Sequence, residues 1–143
     1  MNIHQISVFL ENRAGQLAEI TDLLAKSHVD IRAISIAETA DYGLVRMIVD
    51  DSYKASSILL AHGDILSMTP VWAVEVPDRP AGLSELLGVL AEAHVDVEYM
   101  YSLVTNKYGH ACMVLRISDE PRFLSALGER QIKVMSKEDL GLK

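Results

Sequence analysis

Asn12-Arg13-Ala14-Gly15-Gln16-Leu17-Ala18-Glu19-Ile20 follows an apolar strand pattern, opens a helical one, and closes at His28-Val29-Asp30-Ile31. The same passage returns as Asp78-Arg79-Pro80-Ala81-Gly82-Leu83-Ser84-Glu85-Leu86 and closes at His94-Val95-Asp96-Val97. The second copy lies sixty-six residues after the first (79 − 13). At that constant offset residues 11–49 and 77–115 share Arg13/Arg79, Leu17/Leu83, Glu19/Glu85, Leu24/Leu90, His28/His94, Asp30/Asp96, Tyr42/Tyr108 and Met47/Met113. The match needs no gap through helix, strand, turn and strand, so two copies of one unit describe the chain better than one larger domain.

Periodicity fills in the unit. Ile6, Val8 and Leu10 alternate with Gln5, Ser7 and Phe9, the mark of a half-buried strand. Leu17, Ile20 and Leu24 recur at helical spacing and predict an amphipathic helix of about three turns. The β-branched Val29 and Ile31 end it and begin a strand through Thr39. After a turn at Ala40-Asp41-Tyr42-Gly43, Leu44 to Val49 is too apolar for a strand with one wet face and belongs inside a sheet. Asp50-Asp51-Ser52 caps a second helix, His62-Gly63 ends it, and Ile65 to Thr69 is a fourth strand. Trp72, Val74 and Val76 then restart the pattern. Helix, strands Val97–Thr105 and Ala111–Ile117, a helix capped at Asp119-Glu120-Pro121, a last strand Ile132–Met135 and a polar tail Ser136–Lys143 follow.

The expected fold is α+β: two ferredoxin-like βαββαβ units in tandem, residues 1–69 and 70–143, each an antiparallel sheet with its helices on one face. Only Thr69-Pro70 separates the units, so Ile65 to Val76 is expected to be one long strand holding them in fixed contact.

Composition excludes several functions. The formal net charge of −7 argues against a phosphate backbone or an anionic membrane as partner. The order βαββαβ also describes an RNA-recognition fold, but Leu44–Val49 and Ala111–Ile117 carry no aromatic on which to stack a base. The single Cys112 reads as a buried thiol on a strand. The N-terminus has no signal-peptide pattern and no apolar run spans a bilayer, so a soluble, cytoplasmic protein is expected. There is no nucleophile elbow, phosphate-binding loop or metal-ligand cluster. The reading is therefore no catalytic activity, no metal and no cofactor. His28 and His94 read as helix C-terminal residues that complement the dipole.

The repeated turn is the candidate binding site. The first N–H groups of a helix have no internal partners and sit at the positive end of its dipole, which suits a carboxylate. Gly15 and Gly82 allow close approach to the backbone. Asn12 offers donor and acceptor, Asp78 can accept from an ammonium, and the exit acids Asp30 and Asp96 begin the next strands. Tyr99 and Tyr101 share one strand face, as pocket lining or as a packed pair. The plainer alternative makes Asn12 and Asp78 turn formers and Arg13 and Arg79 solvated charges.

Asn-Arg-x-Gly-x-Leu after a strand, then a helix and a Val-Asp-Ile exit, resembles the ACT domain, whose usual turn reads Asn-Arg-Pro-Gly-x-Leu. The resemblance spans two tandem units and implies a stand-alone regulatory module that binds an amino acid or related metabolite. It implies a homodimer, a regulated enzyme as possible partner, or alternatively a docking scaffold that binds no ligand. It also carries the site onto Leu10, Asn12, Arg13, Ala14, Gly15 and Gln16 in the first unit and Asp78, Arg79, Pro80, Ala81 and Gly82 in the second. Three departures stand out. Ala14 replaces the usual Pro, Gly82 lies one place late, and Leu10 and Val76 stand where serine-binding members have His. The first turn is therefore expected to be the better receptor.

Overall fold

The computed structural model describes residues 1–11, 13–38, 41–104 and 109–143. The chain divides into two compact units. A first unit holds His4–Thr69 with Gly141–Lys143, and a second holds Pro70–Leu140 with Met1–Ile3.

The first unit is built from β1 (Ile3–Glu11), α1 (Gln16–Lys26), β2 (Ile31–Glu38), β3 (Tyr42–Val49), α2 (Ser52–His62) and the start of β4 (Leu66–Pro77). Its strands run β2-β3-β1-β4, and Phe9 N–H donates to Ile65 O at 3.0 Å where β4 approaches β1. β3 pairs antiparallel with both β1 and β2, an interior position that agrees with its mostly apolar sequence, Arg46 excepted. Ile6 and Val8 of β1, Ile20 and Leu24 of α1, Val45 and Met47 of β3, and Leu59 of α2 form one buried core. Asp51 caps α2 by accepting from the Lys54 N–H at 3.1 Å, so the predicted capping cluster resolves onto its middle residue.

The second unit repeats the plan with the end of β4, α3 (Gly82–Glu92), β5 (Val97–Leu103), β6 (His110–Ile117) and α4 (Glu120–Glu129), followed by a short α5 (Lys137–Leu140). Trp72, Val74, Leu86, Leu90, Leu115, Phe123 and Leu127 are its core. Asp119 caps α4 through the Arg122 N–H, with Pro121 in the first turn. Cys112 is buried on β6. The chain is α+β, with the βαββαβ order expressed twice, and β4 runs unbroken from Leu66 to Pro77.

Four expectations need correction. The gapless repeat breaks at the β5–β6 hairpin. Val8 pairs with Val45 and its counterpart Val74 pairs with Met113, so the offset in the second strand is sixty-eight (113 − 45). Tyr42 therefore corresponds to His110, and the capping Asp51 to Asp119. The last strand, expected over Ile132–Met135, is reduced to a single antiparallel bridge, Val74 to Val134. The polar tail contains α5, which Ser136 caps by accepting from Asp139 N–H at 3.1 Å, while its own N–H donates to the Asp139 carboxylate at 2.9 Å. Leu140 is thereby buried. Finally, β5 ends at Leu103; the expected strand end at Thr105 and the turn residues Asn106, Lys107 and Tyr108 lie outside the described residues, as do Thr39 and Ala40. Among the described residues no helix is long and apolar enough to cross a membrane.

Candidate functional site

The first turn leaves β1 at Glu11 and enters α1 at Gln16. Arg13 N–H donates to Glu11 O at 2.8 Å and Glu19 N–H to Gly15 O at 2.9 Å, which fixes a tight corner. Gly15 is the N-cap, at φ 87° and ψ −8°, and among the described residues no side chain caps the helix. The left-handed conformation at that position is what glycine permits at little cost. The first N–H groups of a helix have no partners within the helix, and among the described residues no side-chain cap bond is made to those of α1.

A cavity of about 370 Å³ opens at this corner and is lined by Leu10, Arg13, Ala14, Gly15 and Gln16, with Glu11, Leu17, Ile36 and Gly43 also in the wall. Five of the residues predicted from the sequence are therefore brought together. Asn12, the sixth, lies outside the described residues. Gln16 is 9% exposed, yet among the described residues its buried Oε1 accepts no hydrogen bond. Leaving such an acceptor unsatisfied costs about 1–3 kcal/mol.

Arg13 is not a loose surface charge. Its guanidinium lies 3.3 Å from Glu19 and 3.8 Å from Glu11. Glu19 in turn reaches His62 Nε2 at 3.3 Å, and His62 Nδ1 meets Asp64 at 2.8 Å. These groups tie the turn to α1 and α1 to the exit of α2. Asp64 chiefly, with Glu19 behind it, raises the His62 pKa above its ordinary value. Sequence reasoning missed this chain of contacts, although the repeated Arg13/Glu19 and Arg79/Glu85 spacing was a visible signal for its first link.

The second turn matches the first in its N-cap conformation, with different occupants. Ala81 takes the left-handed N-cap position at φ 76° and ψ −11°, and Arg79 N–H donates to Pro77 O at 3.0 Å. Arg79 pairs with Glu85 at 2.9 Å, as Arg13 does with Glu19. The displaced glycine has its own reason: a Cβ on Gly82 would collide with the Pro77 carbonyl oxygen. Gly82 N–H also donates to Arg79 O at 3.0 Å, so the first helical amide is used inside the turn. Asp78 is exposed and its N–H donates to Gly109 O at 2.9 Å, while Arg79, Pro80 and Ala81 are exposed.

The remaining predicted residues do not join either turn. Asp30 and Asp96 lie at the far ends of eleven-residue helices, roughly 16 Å away at the α-helical rise. Their backbones tie strand starts instead: Asp30 N–H donates to the Asp50 carboxylate at 2.9 Å, and Asp96 N–H to Ser118 Oγ at 3.0 Å. Tyr99 and Tyr101 do share a face of β5, opposite Arg116 and Val114, and Tyr101 is buried. Neither lines the cavity beside the second turn. His28 and His94 close α1 and α3 in left-handed conformations at φ 59° and 57°. Val29 N–H donates to Leu24 O and His28 N–H to Ala25 O, the helix-end pairing that usually selects glycine at this place. Among the described residues no group of three or more acidic, His or Cys side chains could hold a metal.

The structure of protein BT0572 from Bacteroides thetaiotaomicron is similar at a TM-score of 0.90 and 36% identity, covering 99% of this chain and 96% of that one. The ligand-free regulatory subunit of aspartate kinase from Thermus thermophilus shares the fold at a TM-score of 0.65 and 15% identity, over 88% of this chain and 91% of that chain. The regulatory subunit from Thermus flavus does so at 0.61 and 16%, over 88% and 90%. No curated protein matches the sequence. The family model for the ACT domain pair matches residues 1–142, and in agreement with the twofold βαββαβ order this chain belongs to the ACT domain pair family.

Proposed function

We propose that this protein is a regulatory sensor that binds one amino acid or a close zwitterionic relative at the first turn and passes the binding event to a partner enzyme or regulator. The observation that carries the proposal is the pairing of opposite needs in one cavity. The N-terminus of α1, uncapped among the described residues, asks for an anion, and the buried Oε1 of Gln16, without a partner among them, asks for a donor. An α-carboxylate and an α-ammonium meet both demands in one small molecule. The second turn is the weaker receptor, because Gly82 supplies no side-chain acceptor and its amide is already bonded to Arg79 O. Regulatory subunits of aspartate kinase with the same fold support the regulatory part of the reading.

The test is thermal unfolding against the twenty amino acids at millimolar concentration, with Gln16→Leu as the control. A ligand at a hundred times its Kd stabilises the folded state by about 2.7 kcal/mol. At least one amino acid should raise the melting temperature of the wild type, and Gln16→Leu should abolish the rise. No response to any amino acid would remove the sensor reading and leave a docking scaffold in its place.

A further inference from the structure

The wall of the first-turn cavity has a charged part and an apolar part. In the charged part Glu11 and Arg13 lie 3.8 Å apart, and Arg13 also holds Glu19 at 3.3 Å. These charges meet one another, so a ligand side chain of either sign finds no unpaired counter-charge among them. The apolar part is built from three strands and a helix. Leu10 and Leu17 rest half-buried on the first unit's core. Ile36 reaches the cavity from β2. It pairs with Val45, which pairs with Val8, and both valines are in the core, so Ile36 lies on the helix-bearing face of the sheet. It is 52% exposed there. Gly43 of β3 sits between Leu10 and Glu38 and leaves a notch in the same face. A Cβ at Gly43 would make only ordinary contacts, the nearest to Leu10 Cβ at 3.6 Å, so packing does not demand the glycine.

The second unit does not keep this lining. By strand register Val76 stands for Leu10, Ala111 for Gly43 and Ser102 for Ile36. The notch is filled and the exposed isoleucine has become a serine, in the unit whose turn is the weaker receptor. A single exposed isoleucine needs no explanation. Here it stands beside an unforced glycine, in a cavity that also holds the nine-tenths buried Gln16, whose Oε1 has no partner among the described residues. Once the carboxylate and ammonium of a ligand are at the helix end and Gln16, what lies next to them is aliphatic. No aromatic ring lines the cavity among the described residues, so a ring ligand gains no stacking there.

We infer that the first-turn site selects an amino acid with an aliphatic side chain of valine, leucine or isoleucine size, and that Ile36 is the residue that sets this preference. The inference rests on the first-turn reading and narrows it. The test is calorimetric titration of the full chain with leucine, isoleucine and valine, against alanine (too short to reach Ile36), asparagine (leucine's shape with a polar end) and phenylalanine. At least one of the three aliphatic amino acids should bind about tenfold or more tightly than alanine, asparagine and phenylalanine, the discrimination that added methylenes give in an apolar pocket. Ile36→Ser installs the second unit's own residue at an exposed position, and its folding is checked by circular dichroism. It should reduce the preferred ligand to the affinity of alanine and leave alanine binding unchanged. Gly43→Ala, which fills the notch, should weaken the preferred ligand in the same direction. Tightest binding of a polar, charged or aromatic amino acid would overturn the inference and leave the sensor reading standing. Full affinity for the aliphatic ligand in folded Ile36→Ser would do the same. Absence of binding by any amino acid would overturn both.

Discussion

Replacing Gly82 by alanine should damage the protein more than replacing Gly15 by alanine, although Gly15 is the residue with the unusual backbone. Gly15 lies at φ 87° with nothing within 4 Å of a built Cβ, so alanine there meets only the left-handed penalty, about 1 kcal/mol. Ala81 already occupies the equivalent place at φ 76°, which shows that the fold carries this cost. Gly82 is different. Its Cβ would run into the Pro77 carbonyl oxygen, with the Pro77 carbonyl carbon at 3.3 Å behind it. Both obstacles are backbone, at the junction of β4 and α3, so relief requires moving a strand end or a helix. Overpacking of this kind costs about 2–3 kcal/mol. In a chain of this length that is a fall in melting temperature of roughly 6–12 °C, against roughly 3–4 °C for Gly15→Ala. Scanning calorimetry of the two variants, with urea unfolding as a second probe, gives the comparison. If Gly82→Ala is as stable as Gly15→Ala or more so, the account of why the glycine is displaced in the second turn is wrong.

Further outcomes follow from the same contacts. The pKa of His62 is raised above 6.5, principally by Asp64, so its contribution to stability is full below pH 6.5 and is lost as pH rises through the folded value. Urea unfolding across that window should show the loss in wild type and a flatter profile in His62→Gln. Glycine at His28 or His94 should raise stability by about 1 kcal/mol, because the left-handed helix end no longer holds a Cβ; a decrease would show that the imidazole does more than fill the corner. Leu140→Ala should cost about 2–4 kcal/mol in denaturant unfolding, since Leu140 is 4% exposed, whereas a true tail residue would cost nothing measurable.

What could be read from the sequence is what period and chemistry encode. The apolar alternation of β1 and the helical spacing of α1 gave the elements, and Asp51 and Asp119 gave the caps. The two-residue lengthening of the β5–β6 hairpin could not be read. A shift by two leaves every side chain on its original face, so Met47 and Met113 matched at the wrong offset without disturbing the apolar pattern. The bridge at Val134 and the burial of Leu140 depend on tertiary packing that a short polar segment does not announce. At the site, the turn was legible because the strand before it and the helix after it are both periodic, and Gly15 marks the corner between them. The fate of Asp30 and Asp96 was not, because adjacency to a helix exit says nothing about which end of that helix meets a ligand.

The central claim is that the first turn receives a zwitterion through α1's N-terminal amides and Gln16. The most direct measurement is a two-dimensional nitrogen–proton NMR titration with the amino acid that most raises the melting temperature. The amide resonances of Gln16, Leu17 and Ala18 should move saturably, together with the Gln16 side-chain amide, and should stay still in Gln16→Leu. Shifts confined to Gly82, Leu83 and Ser84, or binding that leaves both turns unperturbed, would contradict the account.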